Sequence, residues 1–248
     1  MGFKKYYCAV VLLMSFTIIE AAWNPLYLSL KNVEALEILK QPDVVALENQ
    51  VLDVIKNSWC SQEKAQLLME LVIIMRPDVC VEIGAFTGSS TLPLLKGLKY
   101  CNQGQVYIIE PWSAAEAIKG LPKNDPNTTW WAGLHMKEVK TQFIKMIKRW
   151  ALKDFCNILE MNSEQAVNYI PMIDFLHLDG NFSEQGSLLD STLYVPKVVS
   201  GGYILLSNAL IMIDGKPTKM KALWPIFDQC DVVCELDQGN TILFRKKS

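Results

Sequence analysis

The chain has 248 residues, half of them hydrophobic, and its formal net charge at pH 7 is −2. This length suits one sizeable domain with a full core and a short extension. The near balance of charge provides no basic surface for a polyanion, so the composition argues against nucleic-acid binding.

The N-terminal segment has the pattern of a targeting sequence. Lys4 and Lys5 precede an apolar stretch from about Tyr6 to Ile19, and small residues follow. This order is typical of a secretory signal, and the apolar stretch is shorter than a membrane-spanning helix needs. We predict that residues 1–22 are a signal peptide or anchor, that the protein is exported or membrane-tethered, and that it meets a membrane only there. A buried N-terminal helix in a cytoplasmic protein is the alternative.

Helical periodicity begins after this segment. Residues 24–42 are expected to be irregular or partly helical. Apolar residues at helical spacing predict helices over 44–56 and 61–75, the second beginning with a Ser-x-Glu start. Residues 23–60 are therefore a predicted helical extension of a main domain over 61–248.

From residue 78 onward, short apolar strands alternate with helical stretches. The predicted strands are 78–84, 104–111, 155–161, 173–180, 201–209, 230–236 and 240–245. The predicted helices between them are 89–99, 134–152, 163–170, 184–197 and 219–229, and residues 112–132 are a predicted loop. Apolar strands alternating with helices indicate a parallel sheet covered on both faces. The predicted fold is α/β, Rossmann-like and doubly wound, with seven mostly parallel strands and an antiparallel edge from the terminal hairpin.

The seven cysteines do not form a disulfide pattern. Cys80 and Cys156 lie in apolar runs, where a free cysteine behaves as a small hydrophobic residue. Cys230 and Cys234 would lie about 13 Å apart on one strand, too far for a bridge. No CxxC pair occurs and the chain has two histidines, so a zinc site is not expected. Reduced thiols are predicted, which conflicts with export.

Polar residues follow each predicted parallel strand. In an open α/β sheet, ligands bind beyond the carboxyl ends of the strands. The residues at these ends are Glu82 and Gly84, then Glu110, then Asn162 and Ser163, then Asp179, and finally Ser207 and Asn208. Three of the five ends carry a carboxylate, so this edge of the sheet is the predicted ligand site.

The turn after the first strand, VCVEIGAFTGSST (79–91), narrows the ligand class. Gly84 and Gly88 allow positive φ and close backbone approach, which suits either a tight turn or a ligand contact. The turn lacks the lysine of a P-loop, and Phe86 stands where a dinucleotide fingerprint has its middle glycine. Glu110 is placed to accept hydrogen bonds from a ribose diol. A nucleoside ligand without a diphosphate is predicted, with S-adenosylmethionine as the candidate.

The same residues carry a family resemblance. VEIGAFTGSST resembles the first motif of class I S-adenosylmethionine-dependent methyltransferases, in particular the small-molecule O-methyltransferases. VYIIEPWS, NTTWWAG and IDFLHLDGNFSEQGSLLDSTLYVPKVVSGGYIL resemble a bacterial subgroup of that superfamily whose substrates are mostly unassigned. The resemblance covers residues 61–246 and implies a methyltransferase domain over 61–248. It implies methyl transfer to a small-molecule acceptor, at oxygen.

The resemblance also implies the site residues. The implied cofactor-binding residues are Glu82, Gly84, Ala85, Phe86, Thr87, Gly88, Ser89, Glu110, Pro111, Trp112, Asn162, Ser163 and Asp179. Glu82 and the turn would hold the methionine part, and Glu110 the ribose. Asp179 would lie beside the sulfonium and, with Asn208, forms the implied catalytic pair. Such a transfer depends mostly on holding the reacting atoms in line.

Two residues depart from the family pattern. Phe182 stands where the related subgroup has a histidine. Ser207 stands where metal-dependent O-methyltransferases have the aspartate of an Asp-Asn pair, which ligates a divalent ion together with the counterpart of Asp179. Because such sites rely on carboxylates, no metal is expected, and no general base is evident. A degenerate cofactor-binding or scaffold protein and a nicotinamide-dependent oxidoreductase remain alternatives.

Two further features have two interpretations each. His177 is either a hydrogen-bonded core histidine or a residue that orients Asp179. Trp130 and Trp131 either form the floor of an acceptor pocket or pack a loop onto the core. Whether the chain forms a homodimer is left open.

Overall fold

The computed structural model describes residues 33–248, so the predicted targeting segment at 1–22 lies outside the described residues. Among the residues described, no helix combines the length and apolarity that crossing a membrane requires.

The helices occur before the sheet and between its strands. They are α1 (Val33–Leu39), α2 (Pro42–Ile55), α3 (Gln62–Met75), α4 (Thr91–Cys101), α5 (Ala114–Ala117), α6 (Pro126–Ala132), α7 (Met136–Arg149), α8 (Ser163–Ala166), α9 (Glu184–Tyr194) and α10 (Leu223–Gln229). Short 3₁₀ turns follow α8 and α9.

The strands form one large sheet and one small hairpin. They are β1 (Val79–Ile83), β2 (Gln105–Ile109), β3 (Cys156–Leu159), β4 (Ile173–Leu178), β5 (Val198–Leu206), β6 (Met212–Ile213), β7 (Lys216–Pro217), β8 (Cys230–Leu236) and β9 (Thr241–Lys246). The large sheet has seven strands in the order β3-β2-β1-β4-β5-β9-β8, and β6 pairs with β7.

The sheet confirms the predicted fold class. Strands β1 to β5 are parallel, and β9 runs antiparallel to both β5 and β8. The terminal hairpin therefore forms the predicted edge, with its antiparallel strand one position inside that edge. The chain order reverses between β1 and β4, and such a reversal opens a crevice at the carboxyl ends of the two strands.

Helices cover both faces of the sheet, as a doubly wound fold requires. Cys80 and Phe175 belong to the hydrophobic cluster under α3, α4 and α7. Their neighbours in sequence, Val81 and Leu176, belong to the opposite cluster with residues of α9 and α10. Successive strand residues point to opposite faces, so a strand that is apolar throughout supplies both cores.

The N-terminal helices pack on α3 through a third cluster. Val44 and Val51 of α2 are buried against Met69 and Ile73 of α3. Ser61 is the N-cap of α3, and its side chain accepts a hydrogen bond from the amide of Lys64, as the Ser-x-Glu start predicts. This cap fixes where the side chain of Lys64 leaves the helix.

One predicted loop is partly helical. Residues 112–132 contain α5 and α6, where the sequence analysis expected neither. Asp125 caps α6 by accepting a hydrogen bond from the amide of Asn127, and Pro126 occupies its first turn. These are ordinary helix-start signals, and the prediction was wrong because the surrounding Pro and Asn residues also suit a loop.

The cysteines of the described residues are free. All six, from Cys60 to Cys234, lack a disulfide partner, and each is buried or half-buried. Burial raises the pKa of the Cys60 thiol to about 12, which keeps it protonated. The geometry of this part of the chain is compatible with the predicted reduced thiols.

A carboxyl pair makes the packing of α2 on α3 sensitive to pH. Burial raises the pKa of Glu70 from its ordinary value of 4.5 to about 8, and Glu48 lies beside it. The stabilisation that protonated Glu70 contributes to the folded protein is therefore fully present below pH 4.5 and is lost as the pH rises towards 8. Between about pH 6 and pH 9, the free energy of unfolding should therefore fall by about 2 kcal/mol less in Glu70→Gln than in the wild type, because glutamine does not ionise. Urea unfolding at both pH values measures this.

Glu63→Gln is the matched control, because Glu63 lies on the same helix and is exposed. It should follow the wild type at both pH values. Parallel pH dependence in wild type and Glu70→Gln would show that Glu70 does not titrate in this range.

Candidate functional site

The ends of the central strands lie side by side. The amide of Gly84 donates to the carbonyl of Ile109 at 3.0 Å, and the amide of Asp179 donates to the carbonyl of Ile83 at 2.9 Å. These bonds continue the parallel ladders one residue past the strands. The polar residues after β1, β2 and β4 therefore meet at one edge, as the strand ends predicted.

A cavity of about 640 Å³ opens at this edge. Its size is typical of a site for a small molecule or cofactor. The predicted site residues that line it are Gly84, Phe86, Glu110, Pro111, Asn162, Ser163, Asp179 and Asn208.

Glu110 is held rigidly at the cavity wall. Its two carboxylate oxygens accept hydrogen bonds from the amides of Phe86, at 3.0 Å, and Trp112, at 2.8 Å. Burial raises the pKa of Glu110, and these amides oppose the rise. Each oxygen has a second lone pair, so the carboxylate can accept two further hydrogen bonds from a ligand.

The backbone around Glu110 is strained. Phe86 and Trp112 have φ angles of 50° and 41°, in the left-handed region that bulky residues avoid. The indole nitrogen of Trp112 donates to the carbonyl of Phe86 at 3.0 Å, which locks the two residues together. Strain of this kind is found at ligand sites, where surrounding contacts hold the backbone in place.

The two glycines of the first turn are required by packing. Gly84 has φ of 88°, and a Cβ there would lie 2.2 Å from the carbonyl oxygen of Asp179. A Cβ at Gly88 would lie 2.4 Å from Met146 and 3.0 Å from Phe143. Gly84 lets the turn pass close to the end of β4, and Gly88 lets it pack against α7.

Behind the cavity lies a buried polar network that begins at Glu82. This fully buried residue accepts hydrogen bonds from the hydroxyls of Ser90, at 2.5 Å, and Thr91. The Nδ1 atom of His177 lies 3.0 Å from the same carboxylate, and its Nε2 atom lies 2.8 Å from the hydroxyl of Ser207. His177 is therefore a hydrogen-bonded core histidine, the first of its two interpretations. Its Nε2 atom lies 3.8 Å from the Asp179 carboxylate, too far for a hydrogen bond that would orient Asp179.

Lys64 sets the direction of these hydrogen bonds. Its ammonium can only donate, and it donates to the Ser207 hydroxyl oxygen at 3.3 Å. Ser207 can then donate its own proton to Nε2 of His177, which leaves Nδ1 of His177 to donate to Glu82. The hydrogen-bond sequence thus assigns the tautomer of His177.

The same ammonium lies beside Asp179. The Nζ atom of Lys64 is 3.5 Å from the Asp179 carboxylate, and the side chain of Lys64 is 7% exposed. Burial lowers the pKa of Lys64, but the charges of Asp179 and Glu82 outweigh it, so the pKa is raised and the ammonium is retained. A positive charge is therefore fixed in the wall of the cavity.

These residues do not suit a divalent metal. Across residues 33–248, no group of three or more His, Cys, Asp or Glu side chains could hold a metal ion. Asp179 accepts a hydrogen bond from the amide nitrogen of Asn208 at 2.5 Å, and the Lys64 ammonium faces its other oxygen. A second cation here would be repelled by Lys64 and would find one carboxylate.

Aromatic side chains form another part of the wall. Trp59, Phe86, Trp131 and Phe182 all line the cavity. The Trp59 and Phe86 rings stack at 5.0 Å, and Trp131 packs edge-on against both Phe86 and Phe182. Phe182 thus extends an apolar wall. Trp131 lines the cavity, whereas Trp130 is exposed and does not line it.

Six of the residues predicted to contact the cofactor lie behind the cavity lining. The residues that do not line the cavity are Glu82, Ala85, Thr87, Gly88, Ser89 and Trp112. Glu82 is enclosed by its hydroxyl and imidazole partners, and Trp112 packs inward against Phe143 at 5.2 Å. Ala85 and Gly88 are buried, while Thr87 and Ser89 are half-buried in the turn. Together they shape the wall from behind.

Lys64, Trp59 and Asp190 are among the cavity residues that were not predicted from sequence. Lys64 looked like an ordinary charge in the first turn of a helix, and Trp59 like part of a linker. Asp190, inside α9, accepts a hydrogen bond from Ser163 at 2.5 Å, and burial raises its pKa to about 6. No local sequence pattern distinguishes these residues, because each reaches the cavity through packing between distant elements.

A family model described as a methyltransferase domain matches residues 81–209, which is just over half of the chain. The chain therefore belongs to the methyltransferase-domain family. A search of curated proteins found no match.

Solved structures share the fold at low sequence identity. An O-methyltransferase from Bacillus cereus in complex with SAH matches with a TM-score of 0.55 and 14% identity, over 82% of this chain and 91% of that one. The O-methyltransferase TomG from Streptomyces achromogenes, in complex with SAM, matches with a TM-score of 0.53 and 12% identity, over 100% and 99%. The SAH-bound methyltransferase PaMTH1 from Podospora anserina matches with 0.52 and 12%, over 100% and 97%.

The close approach at Gly84 leads to a test of the site's framework. Gly84→Ala should destabilise the protein by about 2–4 kcal/mol, because the new methyl meets backbone and the φ angle is unfavourable. Gly215→Ala is the control, since Gly215 also has positive φ but has no atom within 4 Å of the place that a Cβ would take. It should cost about 1 kcal/mol. Urea unfolding measures both, and equal losses would show that the contact with Asp179 is unimportant.

Proposed function

We propose that the protein transfers a methyl group from S-adenosylmethionine to an oxygen atom of a small-molecule acceptor. The observation that carries the proposal is the Glu110 carboxylate, fixed by two backbone amides and facing the cavity that Gly84 and Asp179 line. Family membership supports methyl transfer as the chemistry.

The residues present suit the cofactor in three places. Glu110 can accept both ribose hydroxyls. Asn162 and Ser163, at the start of α8, line the same cavity and are available to the adenine edge. Asp179 offers a negative charge to the sulfonium, and Asn208 orients Asp179 through its side-chain amide. When bound, S-adenosylmethionine supplies an electrophilic methyl group, so the protein's task is mainly alignment.

The aromatic wall favours a flat, apolar acceptor. Trp59, Phe86, Trp131 and Phe182 would bury such a group and exclude water from the reacting atoms. Asp179 and Lys64 supply the polar contacts on the cavity wall, which suits an acceptor that carries an oxygen on a flat framework.

The cofactor assignment is tested by calorimetry with S-adenosylmethionine. Glu110→Gln should weaken binding by about 10- to 100-fold, because it removes a charged acceptor of hydroxyl hydrogen bonds while keeping the side chain's shape. Glu160→Gln is the control, since Glu160 is an exposed carboxylate that pairs with Lys140. Unchanged affinity in Glu110→Gln would remove the ribose role.

The same titration separates the alternative functions. Binding of NADH instead of S-adenosylmethionine would support an oxidoreductase. Binding of S-adenosylmethionine without methyl transfer to any component of a small-molecule cell extract would support a scaffold protein. Labelled methyl recovered in an extract component is the result that the proposal requires.

A further inference from the structure

We infer that Lys64 is a catalytic residue, whose ammonium binds the acceptor oxygen as an anion while the methyl group is transferred. The inference rests on the proposed function and names the class of acceptor: an acidic hydroxyl carried by a flat apolar group.

The first support is the position of Lys64. It reaches the cavity from α3, outside the segment that the methyltransferase-domain model matches, and its ammonium lies in the cavity wall next to Asp179. An ammonium has three N–H donors. Its hydrogen-bonding and ion-pair partners among residues 33–248 are Ser207 and Asp179, which leaves one donor for a ligand.

The second support is that the charge is held in place. The Asp179 carboxylate holds the ammonium on the cavity side at 3.5 Å, without the short distance of a tight ion pair. Ser207, His177 and Glu82 continue behind it as a chain of hydrogen bonds. This chain fixes the ammonium before any ligand arrives, and fixed charge in a partly dry site stabilises a developing or bound anion strongly.

The third support is that two other buried titratable groups close to Asp179, Lys219 and Asp190, already have partners in the protein. Lys219 is fully enclosed, donates to the Ser207 carbonyl at 2.8 Å and lies under the Phe182 ring. Asp190 is engaged by Ser163. The contribution of Lys64 is therefore charge stabilisation beside Asp179, which favours acceptors whose hydroxyl is already acidic.

The transfer balances without further reactants. The acceptor hydroxyl loses its proton to water on binding, and Lys64 keeps all three of its protons. The acceptor oxygen forms the new O–C bond while the C–S bond breaks, and that electron pair returns to sulfur. The products are the methyl ether and S-adenosylhomocysteine.

Binding of a probe anion tests the role of Lys64 without the natural acceptor. The probes are 4-nitrophenol, at an alkaline pH where it is ionised, and its neutral analogue 4-nitrotoluene, titrated into protein loaded with S-adenosylhomocysteine. Lys64→Met should bind 4-nitrophenolate at least about tenfold more weakly than the wild type. It should bind 4-nitrotoluene within about twofold of the wild type. Lys64→Arg should recover part of the affinity for the anion.

Lys221→Met is the matched control, because Lys221 is exposed and pairs with Glu184. It should bind both probes as the wild type does. Equal losses for both probes in Lys64→Met would assign Lys64 a merely structural role and overturn the inference. The affinities of the wild-type protein provide a second test. If it binds 4-nitrotoluene more tightly than 4-nitrophenolate, the inference is wrong.

Failure of this inference is distinguishable from failure of the proposed function. Protein that binds S-adenosylhomocysteine but shows no preference for the anion refutes only the role of Lys64. Protein that binds neither S-adenosylmethionine nor S-adenosylhomocysteine refutes the proposed function, and the inference with it.

Discussion

The site depends on how buried charge is balanced across the ends of three central strands. Glu82 at the end of β1 is fully enclosed, and a carboxylate there is tolerable only because hydroxyls and the imidazole of His177 satisfy it. The Ser207 hydroxyl links His177 to the Lys64 ammonium, which lies beside Asp179 in the cavity wall. Because every member has a partner, the network can be rigid, and rigidity behind a cavity wall keeps its charged groups in fixed positions.

This network explains the departure at Ser207. A carboxylate in its place would face the anions Glu82 and Asp179, and it would need an additional cation. A hydroxyl can accept from Lys64 and donate to His177 at once, so it joins the two halves of the network without adding charge. The serine at position 207 and the buried Lys64 therefore complement one another. Loss of function is not needed to explain either residue.

Much of the fold was predictable from sequence because its signals are local. Apolar strands between helices gave the parallel sheet, and the Ser61 cap marked the start of α3. The position of Glu110 at the sheet edge was predictable because it directly follows the apolar residues of β2. The contributions of Lys64, Trp59 and Asp190 were not predictable, since each depends on packing between elements far apart in sequence. The burial of Glu82 was not predictable for a related reason: a strand-end carboxylate can face the cavity or the core, and only the neighbouring His177 and hydroxyls decide.

The most direct measurement is a crystal structure of the protein with S-adenosylhomocysteine. We expect the ribose hydroxyls within hydrogen-bonding distance of the Glu110 carboxylate and the sulfur atom directed towards Asp179 and Lys64. A nucleoside bound elsewhere, or a Glu110 carboxylate that makes no contact with the ribose, would contradict the assignment of this cavity as the cofactor site.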